Sequence, residues 1–392
     1  MITPSFDAII LGAGGAGLMC AAVAGQRGRR IAVIDHAGEP GAKIVISGGG
    51  RCNFTNWHAA PDRYLSANPH FAKSALGRYT AQDFVELVDR HRITWHEKTL
   101  GQLFCDGSAR QIVRMLLDEC DAGAVTLRLG EAIRDVAHAD GRFTVSTDAG
   151  LYEAPALVIA TGGPSIPKLG ATGFAYDLAR KFGLKVVEPR PALVPLTLPA
   201  EEALFRSLAG VATPVVARCG KAAFAEAALF THRGLSGPAI LQVSSYWRHG
   251  QPVSIDFLPG RDTGWLLAAK RSQPRTSLRK LLGEALPDRL ATTLGDHLGA
   301  ADTLAGTRDA ALGEWERRLA GWAFHPNGSE GFAKAEVTVG GIATDGLSSR
   351  DLGARHLPGL HAIGEAVDVT GWLGGYNFHW AWASGWAAAQ AL

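Results

Sequence analysis

Asp7-Ala8-Ile9-Ile10-Leu11-Gly12-Ala13-Gly14-Gly15-Ala16-Gly17 lies close to the start of the chain, and its reading decides the fold. Ala8 to Leu11 is a short apolar run of the buried-strand kind. Gly12 to Gly17 fits the pattern G-x-G-x-x-G, Ala16 to Gln26 continues in small apolar residues, and Arg30 to Asp35 is a second apolar strand. A lone glycine match means little in a chain with 48 glycines. Strand, glycine loop, helix and strand in that order are, however, the context a dinucleotide fingerprint requires. In that reading Gly12 permits the tight turn and Gly14, beside Gly15, lets backbone approach a pyrophosphate. Gly17 lets helix and strand pack closely, and the helix start offers amide donors and partial positive charge. Asp35 ends the second strand, where a carboxylate accepts the adenosine ribose hydroxyls and disfavours a 2′-phosphate. FAD and NAD both remain open at this point.

Two continuous apolar strands around a helix imply a parallel sheet covered on both faces. Helical periodicity recurs at Ala81 to His91 and Ala109 to Asp121. Leu127 to Val136 and Arg142 to Thr147 read as strands joined through Asp140-Gly141, and Leu157 to Ala160 as another buried strand. From about Pro189 the character changes to short β-type runs punctuated by Pro191, Pro195 and Pro199. Residues 262 to 322 are helical in period, best at Ser277 to Leu286 and Asp309 to Trp322, and the last sixty residues return to the glycine-punctuated style. The expected class is α/β, a discontinuous Rossmann-type domain with an inserted β-barrel-like domain and a small helical domain. The expected bounds are 1–188 and 346–392 for the nucleotide domain, 189–261 and 331–345 for the β domain, and 262–330 for the helical one.

At 392 residues the chain exceeds one ordinary core. A formal charge of +2 gives no electrostatic case for nucleic acid or an anionic membrane, so neither is expected as a partner. Lys270, Arg271, Arg275, Arg279 and Lys280 read as the wet face of a helix. The five cysteines are scattered without metal-ligand spacing, so neither a metal site nor a disulfide framework is expected, and a reducing cytoplasm fits. Ala8 to Ala24 lacks a basic leader and is broken by glycines, unlike a signal peptide. No apolar run reaches the roughly 20 residues that cross a bilayer.

Later motifs choose between the two cofactors. Ser47-Gly48-Gly49-Gly50-Arg51-Cys52-Asn53 is a second glycine-rich loop, able to lie along an extended cofactor with backbone amides and Arg51. Ala160-Thr161-Gly162-Gly163 ends a strand and again allows close backbone approach. Near the C-terminus Gly364-Glu365 is followed by Asp368, and Gly374-Gly375-Tyr376-Asn377 opens the final helix. A carboxylate there can bind ribityl hydroxyls, and the helix start can stabilise negative charge on a reduced flavin. The set points to FAD.

These motifs, together with Thr231-His232-Arg233-Gly234-Leu235-Ser236-Gly237-Pro238, resemble the BaiN-like or YhiN-like flavoproteins, the aminoacetone oxidase family of FAD-binding enzymes, along essentially the whole chain. The resemblance implies an FAD-binding domain, an inserted β-barrel and a helical domain. Carried over by position, it implies FAD contacts at Gly12, Gly14, Gly17, Asp35, Lys43, Ser47, Gly50, Arg51, Cys52 and Asn53. It adds Thr161, Gly162, Gly364, Glu365, Asp368, Gly375, Asn377 and Phe378. The chain departs from the family at Phe378-His379, where an aliphatic residue followed by Gln is commoner, and in its tryptophans around the last helix.

No second dinucleotide motif follows Thr161, and no Cys-x-x-Cys is present, so bound flavin exchanges electrons directly with a partner. The expected activity is an FAD-dependent oxidoreductase on a small organic substrate, by amine oxidation or NAD(P)H-linked reduction of an unsaturated carbonyl, with O₂ or transient NAD(P)H as electron partner. The alternatives are a flavin-dependent RNA-modifying enzyme and a flavin-binding redox sensor without turnover. His232 is the candidate proton donor or acceptor. Arg233 for an anionic substrate, Cys52 at the flavin edge and His379 are weaker candidates.

Overall fold

The computed structural model describes residues 5–300 and 303–392. Strands β1 (Ala8–Leu11), β2 (Ile31–Asp35), β3 (Thr126–Leu129), β4 (Ala156–Ile159) and β5 (Leu360–Ala362) form one sheet in the order β5-β4-β1-β2-β3. All its pairings are parallel, with Ala8 opposite both Ala156 and Ile31. The strands are apolar at successive positions because both faces are covered, so alternation would leave polar groups buried. Parallel register brings the ends of β1, β2, β4 and β5 to one edge. The loops after Leu11, Ile159 and Ala362 therefore emerge together, where ligands of such sheets bind.

Helix α1 (Gly15–Gln26) follows β1, and nine of its twelve residues are buried. It is apolar all round because the sheet lies on one side and the last helix, α2 (Tyr376–Ala389), on the other. A β-carbon on Gly385 of α2 would come within 2.6 Å of the Ala16 carbonyl oxygen, so a glycine sets how closely the two helices cross. Trp382 of α2 stacks on Phe84 with ring centres 4.6 Å apart and 10° between planes, and its indole N–H donates to the Phe54 carbonyl at 2.7 Å. The first and last elements of the chain thus share one core.

The run expected as one strand from Leu127 to Val136 divides. Thr126–Leu129 joins the parallel sheet, and Ile133–Ala139 forms an antiparallel pair with Arg142–Thr147. Gly130, at φ +75°, breaks the run by adopting a conformation a branched apolar residue resists.

The chain divides into two compact units, the first running to Arg190 and resuming at Val337–Leu392, the second Pro191–Glu336. The second unit holds an antiparallel sheet whose longest pair is Ala212–Cys219 with Ala222–Phe230. Its core is aromatic: Phe205, Phe230, Phe257, Trp322 and Phe324 meet with ring centres 4.8 to 6.4 Å apart. Helices Trp265–Ser272, Leu278–Gly283, Asp288–His297 and Asp309–Ala320 run between two neighbouring strands of that sheet. The fold class is mixed α/β with a parallel Rossmann-type core and further antiparallel sheets. No helix among the described residues is long and apolar enough to cross a membrane.

Candidate cofactor site

The site begins where β1 turns into α1. Gly12 has φ +108°, and a β-carbon there would meet the Ala160 carbonyl oxygen at 2.6 Å. On Gly17 it would lie 1.9 Å from the Gly12 carbonyl oxygen, so helix and strand touch backbone to backbone. Gly14 is different, because nothing lies within 4 Å of where its β-carbon would be. Gly14 is the N-cap of α1, no side chain caps the helix, and its first turn has no acidic residue. The first amides are left as donors beside an open space, which is the cradle a diphosphate requires. Gly15 has its open side closed by the Trp382 ring at 2.7 Å.

Asp35 faces this loop. One carboxylate oxygen accepts the Ala13 N–H at 2.7 Å and the other the Ala37 N–H at 2.8 Å. Each oxygen retains a lone pair, so Asp35 both holds the loop's shape and can accept a ribose hydroxyl.

The second glycine loop is a tight turn at Ser47–Gly50 in which Gly48, Gly49 and Gly50 have φ of +57°, +67° and +84°. Three left-handed residues in succession are open only to glycine at ordinary cost. A β-carbon on Gly49 or Gly50 would meet nothing within 4 Å, so this backbone is bare for a ligand. Arg51 is exposed. Cys52 is fully buried beside the Ser47 hydroxyl, and burial pushes its thiol well above the usual range, so it is not a ready thiolate. In the amide orientation that satisfies its partners, Asn53 donates to the Leu103 and Thr55 carbonyls at 3.2 Å and accepts from the Gly375 N–H at 3.3 Å.

Lys43 and Glu365, 322 positions apart, meet each other at 2.6 Å. Lys43 also donates to Ser165 Oγ at 2.6 Å, and Ser165 donates to the other Glu365 oxygen at 2.7 Å. The Thr338 N–H adds a bond to that oxygen at 3.1 Å. Four distant segments are therefore tied through one carboxylate. Ser165 and Thr338 are participants that sequence reading missed. Ser165 lies four residues beyond Thr161 and was within reach, whereas Thr338 carries no local signal. Gly162 has its open side toward Glu365 Oε2, at 3.9 Å from a hypothetical β-carbon. The Thr161 hydroxyl is buried with no protein partner, a polar group left for a ligand.

At the far end, Gly364 lies against Ala16, whose β-carbon is 2.7 Å from where its own would be. Asp368 is buried and accepts the Ala67 N–H at 2.9 Å, and burial raises its carboxyl above the usual range. Gly375 begins α2 with φ +92°, in close contact with the Thr55 carbonyl. Asn377 spends its side chain on the turn it follows, accepting the Gly371 N–H at 2.8 Å and donating to the Gly371 and Trp372 carbonyls at 2.9 and 3.2 Å. Phe378 stacks on Trp382 at 5.7 Å. Asn56, just beyond the Ser47 to Asn53 loop, donates to the Gly374 carbonyl at 2.8 Å.

His379 is fully buried with Nδ1 3.0 Å from Thr55 Oγ1, and burial pushes its imidazole down to about 4. It is a neutral packing histidine at working pH. His232 and Arg233 belong to the second unit, exposed on a turn in which the Arg233 and Gly234 amides donate to Thr231 Oγ1 at 3.2 and 3.0 Å.

A family model described as "HI0933-like protein Rossmann domain" matches residues 6–391. The ribosomal RNA dihydrouridine synthase of Escherichia coli K12 is 52% identical over 99% of this chain and 98% of its own length. The protein of the same name from Haemophilus influenzae Rd is 43% identical over 98% of each. Among solved structures, a 3-ketosteroid-Δ4-(5α)-dehydrogenase of Rhodococcus jostii RHA1 superposes with a TM-score of 0.51, at 13% identity, over 98% of this chain and 97% of its own, a likeness of fold alone. The two synthases overturn the expectation of a small organic substrate and the exclusion of nucleic acid as a partner. The exclusion rested on net charge, which averages over the whole surface and does not report on a local binding face.

Gly17→Ala should destabilise the protein by about 3 kcal/mol or more, through backbone overlap. Gly14→Ala should leave apo stability within about 1 kcal/mol yet weaken FAD roughly ten-fold or more. Thermal melts and FAD titration of the apoprotein check both, and equal behaviour of the two variants contradicts the cradle. His379 holds its folded pKa near 4 against 6.5 unfolded, so below about pH 6.5 the unfolded chain binds the extra proton. Its stabilising share is whole above pH 6.5 and is lost as pH falls toward 4, on the order of 3 kcal/mol. His379→Gln should flatten the stability profile across that window, and an unchanged profile contradicts the assignment.

Proposed function

The chain belongs to the HI0933-like Rossmann-domain family, and from that membership we propose that it is an FAD-dependent enzyme that reduces uridine to dihydrouridine in ribosomal RNA. The observation that carries the reading is 52% identity, over 99% of the chain, to a protein of that named activity. The fold is that of FAD-dependent oxidoreductases, and FAD is the cofactor. The open space at Gly14, the uncapped start of α1 and the bare Gly49-Gly50 backbone fit it. Reduced FAD supplies the hydride equivalent for an electron-poor carbon–carbon double bond.

The chain's own residues hold and orient. Gly12, Gly14, Gly15 and Gly17 with the α1 amides take the diphosphate, and Asp35 the adenosine ribose. Lys43, Ser47, Gly50, Arg51, Cys52 and Asn53 line the middle. Thr161 offers its unpartnered hydroxyl, and Gly162, Gly364, Glu365 and Asp368 approach the ribityl side. Gly375, Asn377 and Phe378 shape the start of α2, whose partial positive charge favours an anionic ring. His232, on a fixed exposed turn, is assigned the proton exchange with substrate or solvent. The setting is the cytoplasm, where the RNA substrate is made and used.

The test is anaerobic. Protein whose flavin has been reduced with dithionite and freed of excess reagent is mixed with unmodified ribosomal RNA transcript. The reading expects the visible flavin band to return, with one dihydrouridine per flavin oxidised, read by nucleoside mass spectrometry. Flavin that stays bleached, with uridine unchanged, would sink it.

A further inference from the structure

We propose that the groove at residues 273–280 is a docking site for the phosphate backbone of folded RNA, with Arg275 and Lys280 as its cations and Arg271 just before it in the chain. The identity of the anion rests on the ribosomal RNA reading above. Residues 263–283 contain five cationic side chains and no acidic one, within a chain whose total formal charge is only +2. Two of the five are already used. Lys270 pairs with Asp309 at 2.8 Å and donates to the Thr307 carbonyl at 2.6 Å, and Arg279 pairs with Asp296. Arg271, Arg275 and Lys280 are exposed, and among the described residues no carboxylate lies within ion-pair distance of them.

The shape agrees with the charge. Gln273, Pro274, Arg275, Thr276, Ser277 and Lys280 line an open, polar groove of about 490 Å³. Its floor is held in place. The Leu304 N–H donates to the Thr276 carbonyl at 2.8 Å and the Ala305 N–H to the Pro274 carbonyl at 2.9 Å. Ser277 Oγ accepts the Lys280 N–H at 3.2 Å. Among the described residues the exposed large apolar side chains, Ile46, Leu100, Leu151 and Val187, all lie elsewhere, so the groove has none of them as an anchor in a lipid surface. Cations and hydroxyls on a rigid backbone suit phosphate oxygens, which position an RNA without reading its sequence.

The experiment uses the full FAD-loaded chain and unmodified ribosomal RNA transcript, with affinity measured across a salt series. Neutralising the groove in the triple variant Arg271→Gln, Arg275→Gln, Lys280→Gln should weaken binding roughly ten-fold or more and lower the log–log salt slope by about two. The dispersed triple variant Arg29→Gln, Lys221→Gln, Arg317→Gln removes the same charge from exposed positions and should leave the slope near that of the parent. Unchanged flavin spectra confirm that all three proteins are folded. Equal losses in both variants, no loss in the groove variant, or binding of the parent to anionic phospholipid vesicles but not to RNA each overturn the proposal. Dihydrouridine is counted separately. Its absence with groove-dependent RNA binding intact defeats the activity and leaves the docking site, whereas its formation by a groove variant of full affinity does the reverse.

Discussion

A β-carbon cannot exist at Gly17 while the Gly12 carbonyl sits where it does, and the rest of the first unit is arranged around that contact. It pins the start of α1 against the end of β1, which aims the helix's first amides away from the sheet and into open space. Because α1 lies so close to the sheet, α2 can lie close to α1, with Gly385 against the Ala16 carbonyl. The start of α2 is then held against the strand Asn53–Asn56 through Gly375 and Thr55, so that the two chain ends frame one region.

The polar groups repeat the same logic. Lys43, Ser165, Thr338 and Glu365 come from four segments and satisfy one another, which keeps a partly buried carboxylate and ammonium from being stranded. Asp35 does likewise with the amides of Ala13 and Ala37. These groups hold the walls in place with lone pairs to spare, and the open surfaces are left to backbone at Gly14, Gly49 and Gly50.

Much of this was legible in the chain itself. The order of strand, glycine loop, helix and strand fixes β1, α1 and β2 because steric and periodic demands there are local, and the later glycine turns distinguish FAD from NAD for the same reason. What could not be read are the pairings made only on folding: Thr338 to Glu365, His379 to Thr55, Trp382 to Phe54. Asn377 carries a motif position, yet its side chain serves its own turn. The substrate lay out of reach because a near-neutral total gives no signal for nucleic acid, because Lys270, Arg271, Arg275, Arg279 and Lys280 read as the wet face of a helix, and because the fold of an FAD oxidoreductase does not name what is reduced.

We propose that segments from both ends of the chain form one cradle for one cofactor. Amide hydrogen exchange of the full chain, with and without FAD, tests it directly. FAD should protect the amides of residues 14–17, 47–53 and 374–378 together, at the same FAD concentration. Protection confined to residues 14–17, with the C-terminal segment unchanged, would contradict it.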